Sequence, residues 1–244
     1  MVEITPAILE SDLDGIRNKM AAVTGLAPLV QIDVCDGKFV HHKTWPYIKG
    51  GMDELAKIIA EDEGFPFWDS LDFEIDLMVK FPEEVVYDWI KAGAKSIVLH
   101  IESTPNVLQL IEKLREEYGS VKDETFGLSI GVALDINTPN DNLFEILDMI
   151  DSDGDSIVDF VQFMGMAPVD VGFQGKELDG EVLEKISDLR GIYPNIPISV
   201  DGGVNFDNAA DLISAGATRL ISGSAVFETG DIAEAIHNLA NSGE

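Results

Sequence analysis

Short apolar runs alternate with amphipathic segments along the whole chain. Eight runs are rich in Val, Ile, Leu and Phe and have the length typical of strands, about four to eight residues. They are ITPAIL, LVQIDV, FEIDLMV, SIVLHI, LSIGVAL, VDFVQFM, ISVD and RLISG. The amphipathic segments predict helices that begin near Ser11, Gly51, Pro82, Asn106, Asn142, Gly180, Phe206 and Asp231. This strict alternation predicts parallel strands joined by crossover helices.

The segment VLQLIEKLREEY shows the helical period clearly. Its apolar side chains recur at the spacing of one helix face, with Glu and Lys opposite, as in a helix that covers a sheet. The residues of that face are Val107, Leu110, Ile111 and Leu114. Ala92-Gly93 and Ala215-Gly216 fit helix C-terminal ends just before the next strand.

The number of repeats and the chain length together favour one closed barrel. Eight strand–helix units in 244 residues match a (β/α)8 TIM barrel, and we expect a single domain of this kind over residues 1–244. An open doubly wound sheet is the alternative. The first strand lacks the Gly-rich turn of a dinucleotide-binding fold, so the barrel is preferred.

Three aspartates are expected to meet at one mouth of the barrel. Strand side chains alternate between the barrel interior and the helix layer, and barrel chemistry lies at the C-terminal strand ends. This alternation directs Asp33, Asp76 and Asp201 inward. Other residues predicted to point inward are Gln31, Cys35, Glu74, Met78, Val98, His100, Gln162, Met164 and Ser199. One such aspartate most often caps a turn or a helix, but three together indicate a functional site, because unpaired buried charge is costly.

Glycine-containing loops follow the last three strands. Gly202-Gly203 follows strand seven, Gly223-Ser224 follows strand eight, and the loop after strand six contains Gly172, Gln174 and Gly175. Barrels often bind a phosphate here through backbone N–H groups and a short helix N-terminus. Each glycine alone could simply make a turn, but the three loops together favour a phosphate cradle.

Charge and composition narrow the classes of partner. The chain has 16 Lys and Arg against 45 Asp and Glu, a formal net charge of −29, which argues against nucleic acid and membrane surfaces as partners. An anionic substrate must then be held by local backbone N–H groups. No apolar run approaches the roughly 20 residues of a membrane span. The single cysteine and the absence of a secretory signal pattern lead us to expect a cytoplasmic protein.

Six motifs, in this order and spacing, resemble ribulose-phosphate 3-epimerase and its ribulose-phosphate-binding barrel relatives. They are ITPAIL, QIDVCDGKFV, EIDLMV, VGFQG, SVDGGV and GSAVF, from Ile4 to about Phe227. The resemblance implies a metal-dependent inversion at C3 of a ketose 5-phosphate by two proton-transferring aspartates, which match Asp33 and Asp201. It also implies a phosphorylated sugar as ligand and a homo-oligomer.

The resemblance has departures at the metal site. The positions of the family's two metal-binding histidines hold Gln31 and Asp76, and the methionine beside the first aspartate is replaced by Cys35. The loop after strand six is longer than the family's, with Gln174 in place of a glycine.

The residues left at the metal site form an all-oxygen ligand set. The set is Gln31, Asp33, Asp76 and Asp201. Oxygen donors suit Mg²⁺ or Mn²⁺ better than Zn²⁺, so we expect one of these harder cations, or none. Without a cation, the neighbouring carboxylates would repel one another, and at least one would be protonated near neutral pH.

Other side chains have weaker claims to a role. Met78, Met164 and His100 are candidates for contact with the sugar, although gap-filling methionines and a hydrogen-bonded core imidazole are the ordinary explanations. Three further features are assigned no catalytic role: the adjacent pair His41-His42, Cys35 and the acidic loop DSDGDS.

Three functions remain open from the sequence. The preferred one is an epimerase or close isomerase of ketose phosphates, in which Asp33 and Asp201 exchange protons on opposite faces of the sugar. The second is a non-catalytic or repurposed sugar-phosphate-binding barrel. The third is another reaction on a phosphorylated sugar, such as that of an aldol-type synthase or lyase, because the fold supports many chemistries.

Overall fold

Eight parallel strands close into a barrel in the order of the sequence. The computed structural model describes residues 2–120, 127–152, 154–173 and 175–243. The strands are β1 (Glu3–Ile8), β2 (Leu29–Cys35), β3 (Asp72–Met78), β4 (Ser96–His100), β5 (Ser129–Leu134), β6 (Phe160–Met164), β7 (Ile198–Asp201) and β8 (Arg219–Ser222). Each strand pairs with the next, and β8 pairs with β1. The prediction of a (β/α)8 TIM barrel is confirmed.

The described residues form nine α-helices. They are α1 (Leu13–Val23), α2 (Gly51–Ile59), α3 (Val86–Lys91), α4 (Val107–Tyr118), α5 (Phe144–Leu147), α6 (Glu181–Ile192), α7 (Ala209–Ala215), α8 (Ser224–Phe227) and α9 (Ile232–Ala240). The helices expected near Pro82 and Asn142 begin as short 3₁₀ segments, Pro82–Glu84 and Asn140–Leu143, which precede α3 and α5. Over these described parts of the chain, no helix has the length and apolar character required to cross a bilayer.

Helix α7 begins later than its sequence pattern indicates. The expected start lies near Phe206, but the helix begins at Ala209. The backbone N–H of Asn205 donates to Oδ1 of Asn208 at 2.9 Å, and the N–H of Asp207 donates to Oδ1 of Asn205 at 2.9 Å. These side-chain acceptors hold a turn where the first helical turn was expected, because Asn competes well for nearby backbone donors.

The main hydrophobic core lies between the barrel and its helices. Ile32 and Val34 of β2, and Ile75 and Leu77 of β3, belong to this core with at most 1% exposure. The predicted apolar face of α4 packs against it through buried side chains. Alternate residues of β2 and β3 therefore point into the barrel, which confirms the sequence-based assignment of their two faces.

A buried ion pair closes the N-terminal end of the barrel. The guanidinium of Arg219 donates to both carboxylate oxygens of Glu74, at 2.9 Å and 3.2 Å, and its Nε donates to Oγ of Ser199 at 2.8 Å. Oγ of Ser96 donates to Oε2 of Glu74 at 2.6 Å, and the Arg219 guanidinium lies 4.3 Å from the ring centroid of Phe160. The carboxylate and the guanidinium are thus matched in charge and hydrogen bonding where water is excluded.

Replacing Arg219 with Met is expected to destabilise the fold by about 3 to 5 kcal/mol, because the Glu74 carboxylate would remain buried without its partner. The free energy of unfolding in urea measures this effect. The double variant Glu74→Met/Arg219→Met removes both charges and is expected to recover most of the loss.

Arg17→Met is the control for the Arg219 variant. The Arg17 side chain is 50% exposed and lies 4.0 Å from Asp14, so its loss is expected to cost less than about 0.5 kcal/mol. A double variant at Glu74 and Arg219 as unstable as Arg219→Met alone would show that the buried charge is not the cause.

Candidate active site

Three aspartate side chains converge at the C-terminal mouth of the barrel. Asp33 comes from β2, Asp76 from β3 and Asp201 from β7. One carboxylate oxygen from each lies within 4.8 Å of the others. All three side chains are buried, Asp76 completely. The parallel arrangement produces this meeting, because Asp33 and Asp76 are direct cross-strand partners and β7 approaches from the opposite wall.

One glutamine amide joins two of these carboxylates. Nε2 of Gln31 donates to Oδ1 of Asp33 at 2.9 Å and to Oδ2 of Asp201 at 3.1 Å. Its Oε1 is buried and has no hydrogen-bond partner among the described residues. Gln31 therefore holds Asp33 and Asp201 in fixed relation across the mouth of the barrel.

The third carboxylate has its own pair of donors. Nε2 of His100 lies 2.9 Å from Oδ1 of Asp76, and Nε2 of Gln162 donates to Oδ2 of Asp76 at 3.0 Å. The strand pattern predicts that Gln162 points inward but gives it no functional role. A glutamine inside the apolar run FVQFM is a signal from which a buried polar partner could have been expected.

Burial and mutual repulsion raise the pKa of two of the aspartates. Burial, followed by the charges of Asp201 and Asp76, raises the pKa of Asp33 well above its usual value. Burial, followed by the charge of Asp76, raises the pKa of Asp201 to about 7. Burial alone would lower the pKa of His100, but the adjacent Asp76 carboxylate outweighs it and the net pKa is raised. Near neutral pH, the site can therefore hold both a protonated and an ionised carboxyl group, as acid–base catalysis requires.

A sulfur-rich wall lies beside the carboxylates. Cys35 packs with Met78, Met164 and Met166 in a small apolar cluster, and its Sγ is 4.0 Å from Sδ of Met78. Burial, together with the nearby carboxylates, raises the pKa of the Cys35 thiol. The thiol is therefore neutral and serves as a small apolar side chain, as expected from the sequence.

A cavity open to solvent adjoins the carboxylates, and the space between its lining atoms, including the part open to solvent, is about 490 Å³. The predicted site residues that line it are Asp33, Met78, Met164, Gly172, Gly175, Asp201, Gly202, Gly203, Gly223 and Ser224. Gln174 lies outside the described residues. His100 is placed against Asp76, with 2% exposure, rather than in the cavity wall. The glycine loops after β6, β7 and β8 thus share one cavity with Asp33 and Asp201.

The turn after β7 requires glycine at Gly203. Its φ is +72°, and a Cβ at this position would lie 2.6 Å from the backbone nitrogen of Leu178. The absence of a side chain lets the β7 loop and the chain before α6 approach closely. Gly202 and Gly203 both line the cavity.

The remaining candidates lie away from the carboxylate cluster. His41 is exposed, and the ring of His42 packs against Phe173 at 4.9 Å between centroids. Part of the acidic loop DSDGDS, Asp153, lies outside the described residues. In the parts of the chain that are described, the Asp33, Asp76 and Asp201 group is the only cluster of three or more His, Cys, Asp or Glu side chains spaced to share a metal ion.

The donor set of this cluster fits a hard divalent cation. The three carboxylates supply negatively charged oxygens. Gln31 presents Nε2 to them, and its unpaired Oε1 would join the donor set after rotation of the amide. A cation would relieve the repulsion that raises the pKa of Asp33 and Asp201. Mg²⁺ and Mn²⁺ prefer such oxygen ligands, whereas Zn²⁺ in proteins favours nitrogen and sulfur.

A closed (β/α)8 barrel with carboxylates and a glycine-lined cavity at its C-terminal mouth has the architecture of a barrel enzyme. The sequence model of the ribulose-phosphate 3 epimerase family matches residues 3–227. The chain therefore belongs to this family of isomerases, as the resemblance of its motifs led us to expect.

The similarity to individual relatives spans nearly the whole chain. Ribulose-phosphate 3-epimerase of Bacillus subtilis is 29% identical over 248 aligned positions, which cover 99% of this chain and 100% of the relative. The protein of the same name from Synechocystis is 32% identical over 251 positions, covering 99% and 94%. The structure of KGPDC from Streptococcus mutans, solved as a complex, has a TM-score of 0.67 at 14% identity, covering 99% of this chain and 96% of that one. At this identity the last similarity concerns the fold alone.

The raised pKa of Asp201 predicts that cation-free protein loses stability as the pH rises. Between about pH 4 and about pH 7, Asp201 keeps a proton in the folded protein that the unfolded chain has released. The contribution of this group to stability is therefore full at acid pH and is lost as the pH rises through the folded-state pKa. We expect a loss on the order of 4 kcal/mol from this group, measured by urea unfolding in the presence of a chelator.

Asp201→Asn is the matched comparison, because it keeps the shape and removes the titration. The Asp201 charge also raises the pKa of Asp33, so the difference between the two pH profiles reports Asp201 together with its effect on its neighbours. Equal slopes for the two proteins would contradict the prediction.

Proposed function

We propose that the protein is an epimerase that inverts C3 of a ketose 5-phosphate, with Asp33 and Asp201 as the proton-transferring pair. One observation carries the proposal: the two carboxyl groups, both with a raised pKa, are held by one Gln31 amide beside a glycine-lined cavity. Membership of the epimerase family supports the reaction class.

The reaction needs one carboxylate and one carboxylic acid on opposite faces of the sugar. The ionised aspartate removes the proton from C3, the C–H electron pair forms a C2=C3 double bond, and the carbonyl electrons move to the C2 oxygen. The protonated aspartate then donates its proton to the opposite face of C3, and the C2 carbonyl re-forms. Configuration at C3 is inverted with no net change in atoms, and the two residues exchange roles for the reverse reaction.

The residues around the pair fit the other needs of this substrate. The backbone of Gly202, Gly203 and Gly223 is proposed to hold the phosphate, as an anion-binding site that needs no lysine or arginine. Met78 and Met164 are proposed to cover the sugar and limit access of water to C3. A wall of thioethers is suited to this task because it is apolar and adaptable.

The carboxylate cluster is proposed to bind Mg²⁺ or Mn²⁺ in preference to Zn²⁺. Asp33, Asp76 and Asp201 would hold the ion with the amide oxygen of Gln31. A bound divalent cation would stabilise the negative charge that develops on the substrate oxygens. For Gln31 to act as a ligand, its amide must rotate so that Oε1 replaces Nε2 beside the carboxylates.

Substitution of either proton-transfer residue is expected to block epimerisation at C3. With D-ribulose 5-phosphate in D₂O, NMR follows both the formation of the epimer and the replacement of the C3 proton by deuterium. We expect Asp33→Asn and Asp201→Asn each to lower the epimerisation rate by about 10²- to 10⁴-fold, because each removes one member of the acid–base pair, and we expect the variant that lacks the base for this epimer to lose deuterium exchange as well. Asp14→Asn, at a side chain that is 93% exposed, is the control and should leave the rate unchanged.

The same experiment separates the alternatives. Binding of the sugar phosphate without exchange would favour a non-catalytic barrel, and formation or cleavage of a carbon–carbon bond would favour a synthase or lyase. Full exchange in both aspartate variants would refute the assigned roles.

Chelation followed by metal replacement tests the proposed cation. We expect a chelator to lower the exchange rate and Mn²⁺ or Mg²⁺ to restore it more fully than Zn²⁺, because the ligands are all oxygens. The double variant Gln31→His/Asp76→His supplies two imidazoles and should shift the preference toward Zn²⁺. If Zn²⁺ alone restored the exchange rate of the unmodified protein, the proposed preference for Mg²⁺ or Mn²⁺ would be contradicted.

A further inference from the structure

Gln162 is a buried polar residue that has no part in the proposed reaction. It lies on β6, has no solvent exposure, and is separated from Asp76 by 86 positions in the sequence. Its Nε2 donates to Oδ2 of Asp76 at 3.0 Å and lies 3.9 Å from Sδ of Met164. The residue does not line the cavity in the described structure, so its contact with the site is through Asp76.

The carboxylate of Asp76 is held from two strands at once. His100, on the neighbouring strand β4, engages Oδ1 at 2.9 Å, while Gln162 reaches Oδ2 from β6. A carboxylate that is held by one donor can rotate about its Cβ–Cγ bond, because the energy well of this terminal torsion is broad. Two donors from separate strands fix its plane and therefore fix which lone pairs face Asp33 and Asp201.

The amide of Gln162 is incompletely satisfied. Its Oε1 is buried and lacks a hydrogen-bond partner among the described residues. An unpaired buried acceptor lowers stability, and an apolar residue of similar size would avoid that cost. Gln162 nevertheless directs its donor at a carboxylate of the site. This arrangement is typical of a residue that serves function at the expense of stability.

We propose that Gln162 is a positioning residue, which orients the Asp76 carboxylate so that it can share a cation with Asp33 and Asp201. This inference rests on the proposed function for the identity of the site. Outer partners that orient a ligating carboxylate commonly change metal affinity by about 10- to 100-fold when they are removed. Gln162 acts without touching the ion or the substrate.

Gln162→Met tests the inference, because it keeps the unbranched side chain and removes the donor. We expect the dissociation constant of Mn²⁺, measured by electron paramagnetic resonance on the substrate-free protein, to rise by about tenfold or more. We expect kcat to fall by a similar factor, with KM changed by less than about twofold, because the phosphate cradle is intact. The melting temperature of the cation-free protein is expected to fall, because Oδ2 of Asp76 loses its donor. The Mn²⁺ affinity and the unequal effects on kcat and KM therefore distinguish a positioning role from a purely structural one. Gln162→Leu, a second apolar variant, should behave in the same way.

Thr5→Val is the matched control. Thr5 is also fully buried, and its Oγ1 has no partner among the described residues. No described hydrogen bond joins its hydroxyl to any of the three aspartates. The substitution should leave both the Mn²⁺ affinity and kcat unchanged.

A double-variant cycle shows whether Gln162 acts through Asp76. In an Asp76→Ala background, adding Gln162→Met should cause no further loss of Mn²⁺ affinity, because the acceptor is already gone. An equal loss of Mn²⁺ affinity in both backgrounds would overturn the inference. It would also be overturned if the unmodified protein binds Mn²⁺ and both Gln162 variants bind it equally well. Neither result would contradict the proposed function. If the unmodified protein neither binds Mn²⁺ nor exchanges the C3 proton, the proposed function and this inference both fail.

Discussion

The site depends on the repulsion among three buried carboxyl groups. Asp33, Asp76 and Asp201 bring oxygens within 4.8 Å of one another where little water can screen them. At such distances, unit charges interact by about 4 kcal/mol even at an effective dielectric constant of about 20. Two amide donors, one imidazole and raised pKa values offset this repulsion, and the Lys19 charge makes a smaller contribution that lowers the pKa of Asp33.

Buried charge is neutralised at one end of the barrel interior and left in excess at the other. Glu74 and Asp76 lie two positions apart on β3 and both point inward, so they lie about 7 Å apart along the strand. At the N-terminal end, Glu74 accepts from Arg219 and from the Ser96 hydroxyl, Arg219 also donates to the Ser199 hydroxyl, and the pair adds no net charge. At the C-terminal mouth, Asp76 joins two other acids with only His100 as a basic neighbour in the described contacts. The fold therefore neutralises charge where only stability is at stake and leaves an excess where a cation or a shared proton can act.

The sequence predicted the barrel and its inward aspartates because both follow from periodicity. Strand–helix alternation defines the topology, and the period of two along a strand decides which side chains face the interior. The partners of those side chains could not be predicted in this way. Arg219 meets Glu74 across 145 positions and Gln162 meets Asp76 across 86, and such pairs depend on the register and stagger of the closed barrel rather than on local pattern. The late start of α7 was missed for a local reason, since the Asn205 and Asn208 side chains compete with the helix for backbone donors.

The excess negative charge at the mouth also sets a condition on substrate binding. A phosphorylated sugar is anionic, the whole chain carries a formal charge of −29, and Asp201 adjoins the glycine turn proposed to hold the phosphate. Salt screens the exposed acids but has little effect on the buried cluster. Backbone N–H groups can bind the phosphate without adding a basic side chain that would pair with the aspartates and lower their pKa. A cation or protons bound by the cluster must strengthen the binding of the sugar phosphate. By linkage, the bound sugar phosphate must strengthen the binding of the cation or protons to the same degree. In the proposed function, a phosphate site without basic residues would therefore make substrate binding and charge compensation at the aspartates cooperative.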